Sequence, residues 1–340
     1  MKTIRYIFPI LCFAALLSSC AEGSVEINTE DAYNRVITSW MRVYYPERIS
    51  NTTDSGAYIL EEETGTGAKP TDSSYVFVHY VKTDLDGDIE DTNEEDLARQ
   101  LMQFARTSYY GPDIWRLGQG YIPCGVEETL LGMRVGGFAK IACPLAASEC
   151  SYSVYNAFEE TSASDNEIYY LYLEKIVEDI NAYQIEQIEA FRDSVFPGLD
   201  SLQEGFYFKK LIEVEIPVDT NGVKDTIADG TSINVRYIGR LLNGQVFDTN
   251  IQDTAKKYRI YSSSADYDAL EIEYYQDKDD CISNNSLVDG FSIAVSKMYY
   301  GECADTFFWS DLGYEASGSE ESIPEYSPLR FTIWIEEDDD

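Results

Sequence analysis

The sequence predicts an α+β fold class, with two similar domains that each wrap a twisted antiparallel sheet around one short helix. Short runs of alternating apolar and polar residues, separated by turn residues, indicate the strands. Apolar residues spaced three or four apart indicate one short helix in each half of the chain. These residues are Val126, Leu130 and Met133 in the first half, and Phe291, Val295 and Met298 in the second.

A repeat relates the two halves of the chain. Tyr80 and Asp91 precede Tyr237 and Asp248 by the same 157 positions (80 to 237, 91 to 248), and each aspartate opens the tripeptide Asp-Thr-Asn. Further downstream, Cys124-Gly125-Val126 parallels Asp289-Gly290-Phe291. Similar pieces in the same order in both halves indicate two copies of one domain, which we place at residues 58–177 and 207–336.

The remaining segments are assigned from their apolar spacing and composition. A helix is expected from about 31 to 44, within an N-terminal segment of residues 20–57. A second helix is expected from about 177 to 196, where Pro197-Gly198 ends it. Residues 178–206 are therefore interpreted as a helical linker between the copies, and residues 337–340 as an acidic tail.

The first 19 residues have the features of a lipoprotein signal peptide. Lys2 and Arg5 precede an apolar run at 6–17, and Leu17-Ser18-Ser19-Cys20 resembles a bacterial lipobox, whose cysteine is acylated. The run is too short for a typical transmembrane helix. We therefore expect removal of residues 1–19, a lipid on Cys20, and tethering to a membrane of the bacterial cell envelope, facing the periplasm or the cell surface. An ordinary signal peptide with a chance cysteine is the alternative.

The charge of the chain argues against a nucleic-acid partner. The formal net charge is −36, and removal of residues 1–19 takes away Lys2 and Arg5 and no acid, which gives −38. A field of this sign repels nucleic acid and anionic lipid surfaces.

The cysteine and histidine content argues against a metal site or a nucleophilic site. No Cys-x-x-Cys spacing occurs, so a zinc site is not expected. His79 is the single histidine, so a Ser-His-Asp site would have to use it. Export would permit disulfides, and we hypothesise a Cys281–Cys303 bond. The other cysteines of the expected mature chain are Cys20, Cys124, Cys143 and Cys150.

The second copy resembles the FKBP-type peptidyl-prolyl cis-trans isomerase family, and the first resembles it more weakly, as a degenerate copy. The matching pieces, in order, are Val235-Arg236-Tyr237-Ile238-Gly239, Gly244-Gln245-Val246-Phe247-Asp248, Val288-Asp289-Gly290-Phe291, Gly313-Tyr314, Ile323-Pro324 and Leu329-Arg330-Phe331. The resemblance implies a half-open antiparallel sheet around a short helix, with an apolar pocket between them. It implies that the pocket consists of Tyr237, Phe247, Asp248, Val288, Phe291, Tyr314, Ile323 and Phe331.

The resemblance also implies a reaction, the cis–trans isomerisation of X-Pro bonds in proline-containing polypeptides. Amide resonance sets a barrier of about 18–20 kcal/mol. No bond is broken, so neither a cofactor nor a metal is required. A dry aromatic pocket favours the twisted, less dipolar amide. We assign catalytic roles to Phe247, Asp248 and Tyr314, with the two polar groups holding flanking carbonyls or orienting the pocket, and substrate-binding roles to the others. A chaperone role on exported proteins is also expected.

The first copy departs from this pattern at the positions of two aromatic residues. Glu90 stands at the position of Phe247, and Val126 at that of Phe291. A carboxylate in a proline pocket is costly unless it is hydrated or protonated. The first copy is therefore predicted to be a spacer or a binding surface rather than an isomerase.

The second copy carries a long insert at residues 251–287, which is acidic and rich in tyrosine. It should flank the pocket, where it could restrict substrates, bind them or cover the site. The alternative function is a non-catalytic binding or scaffolding lipoprotein, because a fold does not fix a function. An open pocket lined by the aromatic residues favours the enzyme, and a pocket filled by the insert favours the alternative.

Overall fold

Two antiparallel sheets of six strands dominate the structure, a computed structural model that describes residues 29–144, 147, 166–216, 218, 220, 226–319 and 322–337. The first sheet contains β1 (Tyr58–Glu63), β2 (Tyr75–Thr83), β3 (Ile89–Thr92), β4 (Asp113–Arg116), β5 (Gly137–Cys143) and β6 (Glu167–Val177). The strand order is β1-β5-β6-β2-β3, and β4 also pairs with β2. Helices α2 (Glu95–Gln100) and α3 (Cys124–Gly132) belong to this half. The fully buried Val126 and Leu130 on α3 pack in the core of this domain.

The second sheet contains β7 (Phe206–Ile212), β8 (Thr231–Leu241), β9 (Val246–Thr249), β10 (Leu270–Tyr274), β11 (Cys303–Phe308) and β12 (Leu329–Ile335). The strand order is β10-β8-β12-β11-β7, and β9 also pairs with β8. Helices α5 (Gln252–Tyr258), α6 (Lys278–Asn284) and α7 (Asp289–Val295) belong to this half. The central strand β11 is buried along its whole length, as expected for a strand covered on both faces.

The two sheets share one topology, which confirms the predicted fold class. The path β1-β5-β6-β2 in the first sheet corresponds to β7-β11-β12-β8 in the second. In each sheet the long strand β2 or β8 also pairs with two short strands. Strands β8 and β9 are joined at Asn243-Gly244, where Gly244 adopts a φ of 93° that suits a tight turn.

Helix α1 (Thr29–Tyr44) packs on the first sheet. Ile37 and Met41 are buried against Leu60, Ala142 and Ile168. Helix α4 (Ile180–Val195) is the predicted linker helix. The Asp179 side chain caps its start by accepting a hydrogen bond from the amide of Ala182 at 3.0 Å.

The linker helix is part of the core of both domains. Its first turn, with Ile180 and Tyr183, packs with Phe77 and Ile114 of the first domain and Tyr326 of the second. Further along, Ile188 and Phe191 pack with Tyr207 and Phe307 of the second domain. The linker therefore joins the domains through shared apolar contacts and not only through the chain.

The hypothesis of a Cys281–Cys303 disulfide is wrong. Both residues are free, buried thiols. Cys281 lies on α6, which packs against α7 and β10, whereas Cys303 lies in β11 between β7 and β12. Burial raises the pKa of the Cys303 thiol to about 11. Cys124 is disulfide-bonded.

The predicted signal peptide and Cys20 lie outside the described residues, so the lipid anchor stays a prediction. Within the part of the chain that the structure covers, no helix combines the length and the apolar character needed to cross a bilayer.

Candidate functional site

The Asp-Thr-Asn tripeptide at the end of β9 fixes this short strand to β8. The Asn250 side chain accepts a hydrogen bond from the amide of Tyr237 and donates one to the carbonyl of Val235, both at 2.9 Å. The Thr249 hydroxyl donates to the carbonyl of Tyr237 at 2.6 Å. The buried Asn250 and Thr249 thereby position Tyr237 and Asp248. They were not predicted as site residues, and the only sequence evidence for them was the repetition of the tripeptide.

Tyr237 and Asp248 form a hydrogen-bonded pair at the cavity wall. The Tyr237 phenol donates to Oδ2 of Asp248 at 2.5 Å. The other carboxylate oxygen accepts from the amide of Thr249 at 2.8 Å, so both oxygens are held. Burial, followed by the hydrogen bond to the Asp248 carboxylate, raises the pKa of Tyr237 well above its usual value. The phenol therefore stays protonated at physiological pH.

Three phenylalanine side chains pack edge to face around the pair. The Phe291 ring on α7 lies 5.8 Å from the Tyr237 ring and 5.3 Å from the Phe331 ring, at interplanar angles of 89° in both cases. The Phe247 ring lies 5.7 Å from the Phe331 ring at 82°. Aromatic rings favour these angles because the positive edge of one ring meets the negative face of the other. Phe291 and Phe331 are buried and form the floor, whereas Phe247 is only half-buried.

Gly239 provides the space for this packing. A Cβ atom at Gly239 would lie 2.6 Å from the Phe247 ring and 3.0 Å from the Phe331 ring. Gly239 pairs directly with Asp248 across the β8–β9 ladder. The absence of a side chain at this position of β8 therefore allows Phe247 to turn towards Phe331.

A cavity of about 430 Å³ opens above these rings. Of the predicted pocket residues, those in its wall are Tyr237, Phe247, Asp248, Val288, Phe291, Tyr314 and Phe331. The remaining wall consists of Leu270, Ser286, Leu287, Asp289, Asp311, Gly313 and Glu315. The insert thus contributes Leu270, Ser286 and Leu287 as one side of the cavity and leaves the interior empty.

Ile323 is the predicted pocket residue that is not part of this wall. It is buried in the core cluster that also contains Phe291 and Phe331, and it lines the cavity between the two domains. The amide of Ser319 donates a hydrogen bond to the carbonyl of Ile323 at 2.8 Å. Its role in substrate binding stays a prediction.

Tyr314 lies on the loop after β11, at the edge of the cavity. Burial, and then the negative charge of Asp248, raise the pKa of Tyr314, so its hydroxyl can donate a hydrogen bond at neutral pH. The next residue, Glu315, has a φ of 50°, in the region that favours glycine. Its backbone is held there by hydrogen bonds to Ser310 at 2.8 Å and from Tyr326 at 3.0 Å.

The first domain repeats the hydrogen-bond frame. The Tyr80 phenol donates to Asp91 at 2.7 Å, and Asn93 bonds the backbone of Tyr80 and Val78 at 2.9 Å. The aromatic floor is not repeated. Val126, at the position of Phe291, is fully buried in the domain core.

A charge pair replaces the ring in the first domain. Lys82 pairs with Asp91 as Gly239 pairs with Asp248, so Lys82 stands at the position of Gly239. Its Nζ lies 3.7 Å from a carboxylate oxygen of Glu90, the residue at the position of Phe247. Hydration or protonation of Glu90 was expected, and the structure instead places it beside Lys82, a residue that the sequence analysis had not singled out.

The cavity of the first domain lies between the two domains and has a volume of about 630 Å³. Tyr80, Lys82, Glu90 and Asp91 line one side of it, and the segment 323–325 of the second domain contributes to the other. Asp113 of β4 also lines this cavity. Burial, followed by the charge of Glu325, raises the pKa of Asp113 to about 7.

A comparison with family models identifies residues 223–336 as a match to the FKBP-type peptidyl-prolyl cis-trans isomerase family. The chain therefore carries an FKBP-type domain in its second half. The first domain lies outside the matched residues and shares the strand topology of the second.

Two solved structures are similar to the chain. One is the three FKBP domains of wheat FKBP73, with 15% sequence identity and a TM-score of 0.29, covering 84% of this chain and 95% of that one. The other is a peptidyl-prolyl cis-trans isomerase of Pseudomonas syringae pv. tomato, with 21% identity and a TM-score of 0.30, covering 46% of this chain and 93% of that one. The search of curated proteins found no match. The family assignment therefore rests on residues 223–336.

Proposed function

We propose that the second domain catalyses cis–trans isomerisation of X-Pro bonds in polypeptides. The observation that carries this proposal is the open cavity in which three phenylalanine rings meet the hydrogen-bonded Tyr237–Asp248 pair. A proline ring is a compact apolar group, and the floor of Phe291 and Phe331 offers it buried apolar surface.

The geometry supports catalysis by environment rather than by covalent chemistry. A proline ring among Phe247, Phe331 and Phe291 brings its amide into a poorly hydrated site, where the less dipolar twisted amide is favoured over the planar one. The protonated Tyr314 hydroxyl can donate to a carbonyl beside the proline. Asp248 is fixed on both oxygens, so it orients Tyr237 and can accept a peptide N–H. These steps use only side chains of this domain.

The first domain is proposed to be non-catalytic. Its cavity has the Lys82–Glu90 pair where the second domain has Gly239 and Phe247. Charged groups at these positions retain water, which removes the medium that favours the twisted amide. Its role is then to support the second domain or to bind a partner.

The location is also part of the proposal. With residues 1–19 removed and Cys20 lipidated, the chain would be attached to a membrane and would act on exported proteins, with a chaperone role towards them. Mass spectrometry of the mature N-terminus tests the anchor. A mature protein without lipid, or unchanged acyl labelling in Cys20→Ala, would contradict it.

The catalytic proposal is tested with the chain from residue 21 onwards. NMR measures the rate of cis–trans exchange in one X-Pro peptide. The linker helix packs on Tyr207 and Phe307, so an isolated 207–336 fragment would lack part of its core. We expect the chain to accelerate exchange and Phe247→Glu to abolish the acceleration, because the carboxylate hydrates the pocket.

The matched variant is Glu90→Phe in the first domain, which should leave the rate unchanged. Asp248→Ala should reduce the rate less than Phe247→Glu does, since the aromatic rings remain. Circular dichroism checks folding of each variant. If the folded chain accelerates none of several X-Pro peptides, the non-catalytic binding function replaces the isomerase.

A further inference from the structure

The mouth of the cavity in the second domain is strongly acidic. Four carboxylates line it: Asp248 on β9, Asp289 in the first turn of α7, and Asp311 and Glu315 on the loop after β11. Asp248, Asp311 and Glu315 are exposed, and Asp289 is half-buried. Their charges therefore face the solvent at the place where a peptide would enter.

One cation of this domain lies near the rim: the Asp279 carboxylate and, to a lesser extent, Asp289 raise the pKa of Lys278 on α6. Among the residues that the structure describes, no salt bridge involves any of the four carboxylates. Neither lysine nor arginine lines the cavity. The hydrogen bonds to Asp248 come from a phenol and a backbone amide, which are neutral donors and leave its charge in place.

The first domain provides an internal comparison. There, Lys82 lies in the cavity wall 3.7 Å from Glu90 and supplies a positive charge from within the domain. The second domain has Gly239 at that position and has no such charge at its rim. A positive charge inside this cavity would therefore have to come from a bound molecule.

We propose that the second domain selects X-Pro segments in which lysine or arginine flanks the proline, an inference that rests on the proposed isomerase function. The proline ring occupies the aromatic floor, and the cationic side chain lies over the acidic rim. Long cationic side chains can place their apolar stems on hydrophobic surface, and Leu270 and Leu287 of the insert offer such surface. An acidic residue at the same place is repelled.

The size of the effect follows from the exposure of the rim. One exposed ion pair changes an equilibrium constant by up to about fivefold. Because a lysine is attracted and a glutamate is repelled, the two flanking residues should differ by about tenfold in kcat/KM at low salt. The net charge of −36 extends the same field over the whole molecule.

The experiment uses the chain from residue 21 and three blocked peptides with one X-Pro core, flanked by lysine, alanine or glutamate. Exchange is measured by NMR at about 0.01 M and about 1 M salt, where the screening length is about 30 Å and about 3 Å. We expect the order lysine, alanine, glutamate at low salt, and nearly equal values at high salt. Equal kcat/KM for the three peptides at low salt would overturn the selectivity.

Charge neutralisation tests the rim itself. The double variant Asp311→Asn, Glu315→Gln should reduce the ratio of kcat/KM for the lysine-flanked peptide to that for the glutamate-flanked peptide several-fold. Its matched control is Glu62→Gln, Glu63→Gln, which removes the same charge from exposed positions on β1 and should leave the ratio unchanged. An unchanged ratio in the rim variant, or an equal reduction in the control, would assign the preference to the overall charge and contradict the proposal.

The alanine-flanked peptide separates this inference from the proposed function. If it is accelerated and the charge order is absent, only the selectivity fails. If no peptide is accelerated, the isomerase fails, and dissociation constants of the same three peptides decide the selectivity. Tighter binding of the lysine peptide would then support selection by a binding domain, whereas equal binding or no binding would overturn it.

Discussion

At the scale of single residues, the pocket depends on a side chain that is absent. A Cβ at Gly239 would lie 2.6 Å from the Phe247 ring, which is closer than non-bonded carbon atoms approach each other. In the first domain this position is Lys82, and the residue that faces it is Glu90 instead of phenylalanine. The glycine and the ring therefore occur together in one copy and are absent together from the other.

Gly239→Ala should displace Phe247 and impair the site. Overpacking of this kind typically costs about 1–3 kcal/mol of the free energy of unfolding, and the displaced ring should reduce peptide exchange more than tenfold. Urea unfolding and NMR exchange measure the two effects. Gly132→Ala is the control, because nothing lies within 4 Å of a Cβ there. It should leave the exchange rate unchanged and raise the free energy of unfolding by about 0.4–1 kcal/mol, since alanine restricts the unfolded chain.

Tyr237→Phe removes one hydrogen bond and keeps the ring. Loss of the bond to Asp248 should lower the free energy of unfolding by about 0.5–1.5 kcal/mol and reduce the exchange rate by freeing the carboxylate. Tyr80→Phe removes the corresponding bond to Asp91 in the first domain. It should lower stability by a similar amount without changing the exchange rate, and an equal loss of rate in both variants would contradict the assignment of activity to the second domain.

At the scale of elements, the linker helix is attached to the second domain by a buried polar contact. Gln184 is fully buried; its amide donates to the Ser310 hydroxyl at 3.0 Å and accepts from the Ser310 amide at 2.7 Å. Ser310 begins the short 3-10 helix that precedes Gly313 and Tyr314. The linker thus supports the loop on which one wall of the pocket depends.

Gln184→Ala should destabilise the protein through the unpaired amide of Ser310. An unsatisfied buried donor costs about 1–3 kcal/mol. Urea denaturation of the whole chain checks the value, with Glu186→Ala as the control on the exposed face of the same helix. A loss of similar size in both variants would indicate a general effect on helix propensity.

At the scale of the whole molecule, two carboxyl groups meet at the domain interface. Asp113 lies on β4 of the first domain and Glu325 on the loop of the second, and both line the shared cavity. Burial raises the pKa of Glu325. Burial and then Glu325 raise the pKa of Asp113 to about 7, while nearby Asp91 adds to the shift and His79 opposes it. The neutral forms are therefore favoured in the folded protein.

Stability should fall as the pH rises from about 4 to about 7. In the unfolded chain the pKa of Asp113 is about 3.9, so the side chain is ionised in this window. In the folded chain the Asp113 side chain still binds the proton. The folded state therefore holds more protons, and the free energy of unfolding decreases with rising pH. Urea titrations at several pH values measure the slope. Asp113→Asn should flatten it, and Asp200→Asn, at an exposed position, should not.

The parts of the site that the sequence predicted lie on regular elements. Tyr237, Phe247, Asp248 and Phe331 belong to strands, and Phe291 belongs to a helix. They were predicted from the resemblance of the second copy to the FKBP-type family, which rests on short motifs in a fixed order. Of these residues, Tyr237 and Asp248 are also repeated in the first copy, as Tyr80 and Asp91.

The parts that the sequence did not predict depend on contacts distant along the chain. Ile323 is buried in the core and lines the cavity between the domains, and no local pattern encodes that placement. The Lys82–Glu90 pair joins two strands of one hairpin. Only a comparison of the two domains shows that Lys82 stands at the position of Gly239. The domain interface at Asp113 and Glu325 joins residues 212 positions apart (113 to 325), and no local pattern encodes such a contact.

The packing of helix α1 on the first sheet limits the distance between the site and a membrane anchor on Cys20. Ile37 and Met41 fix this helix to the domain, and the linker helix fixes that domain to the second. With a lipid on Cys20, only the nine residues from 20 to 28 would separate the anchor from α1, and their fully extended length is about 30 Å. The protein would then stay close to the bilayer, and its polypeptide substrates would have to reach it there.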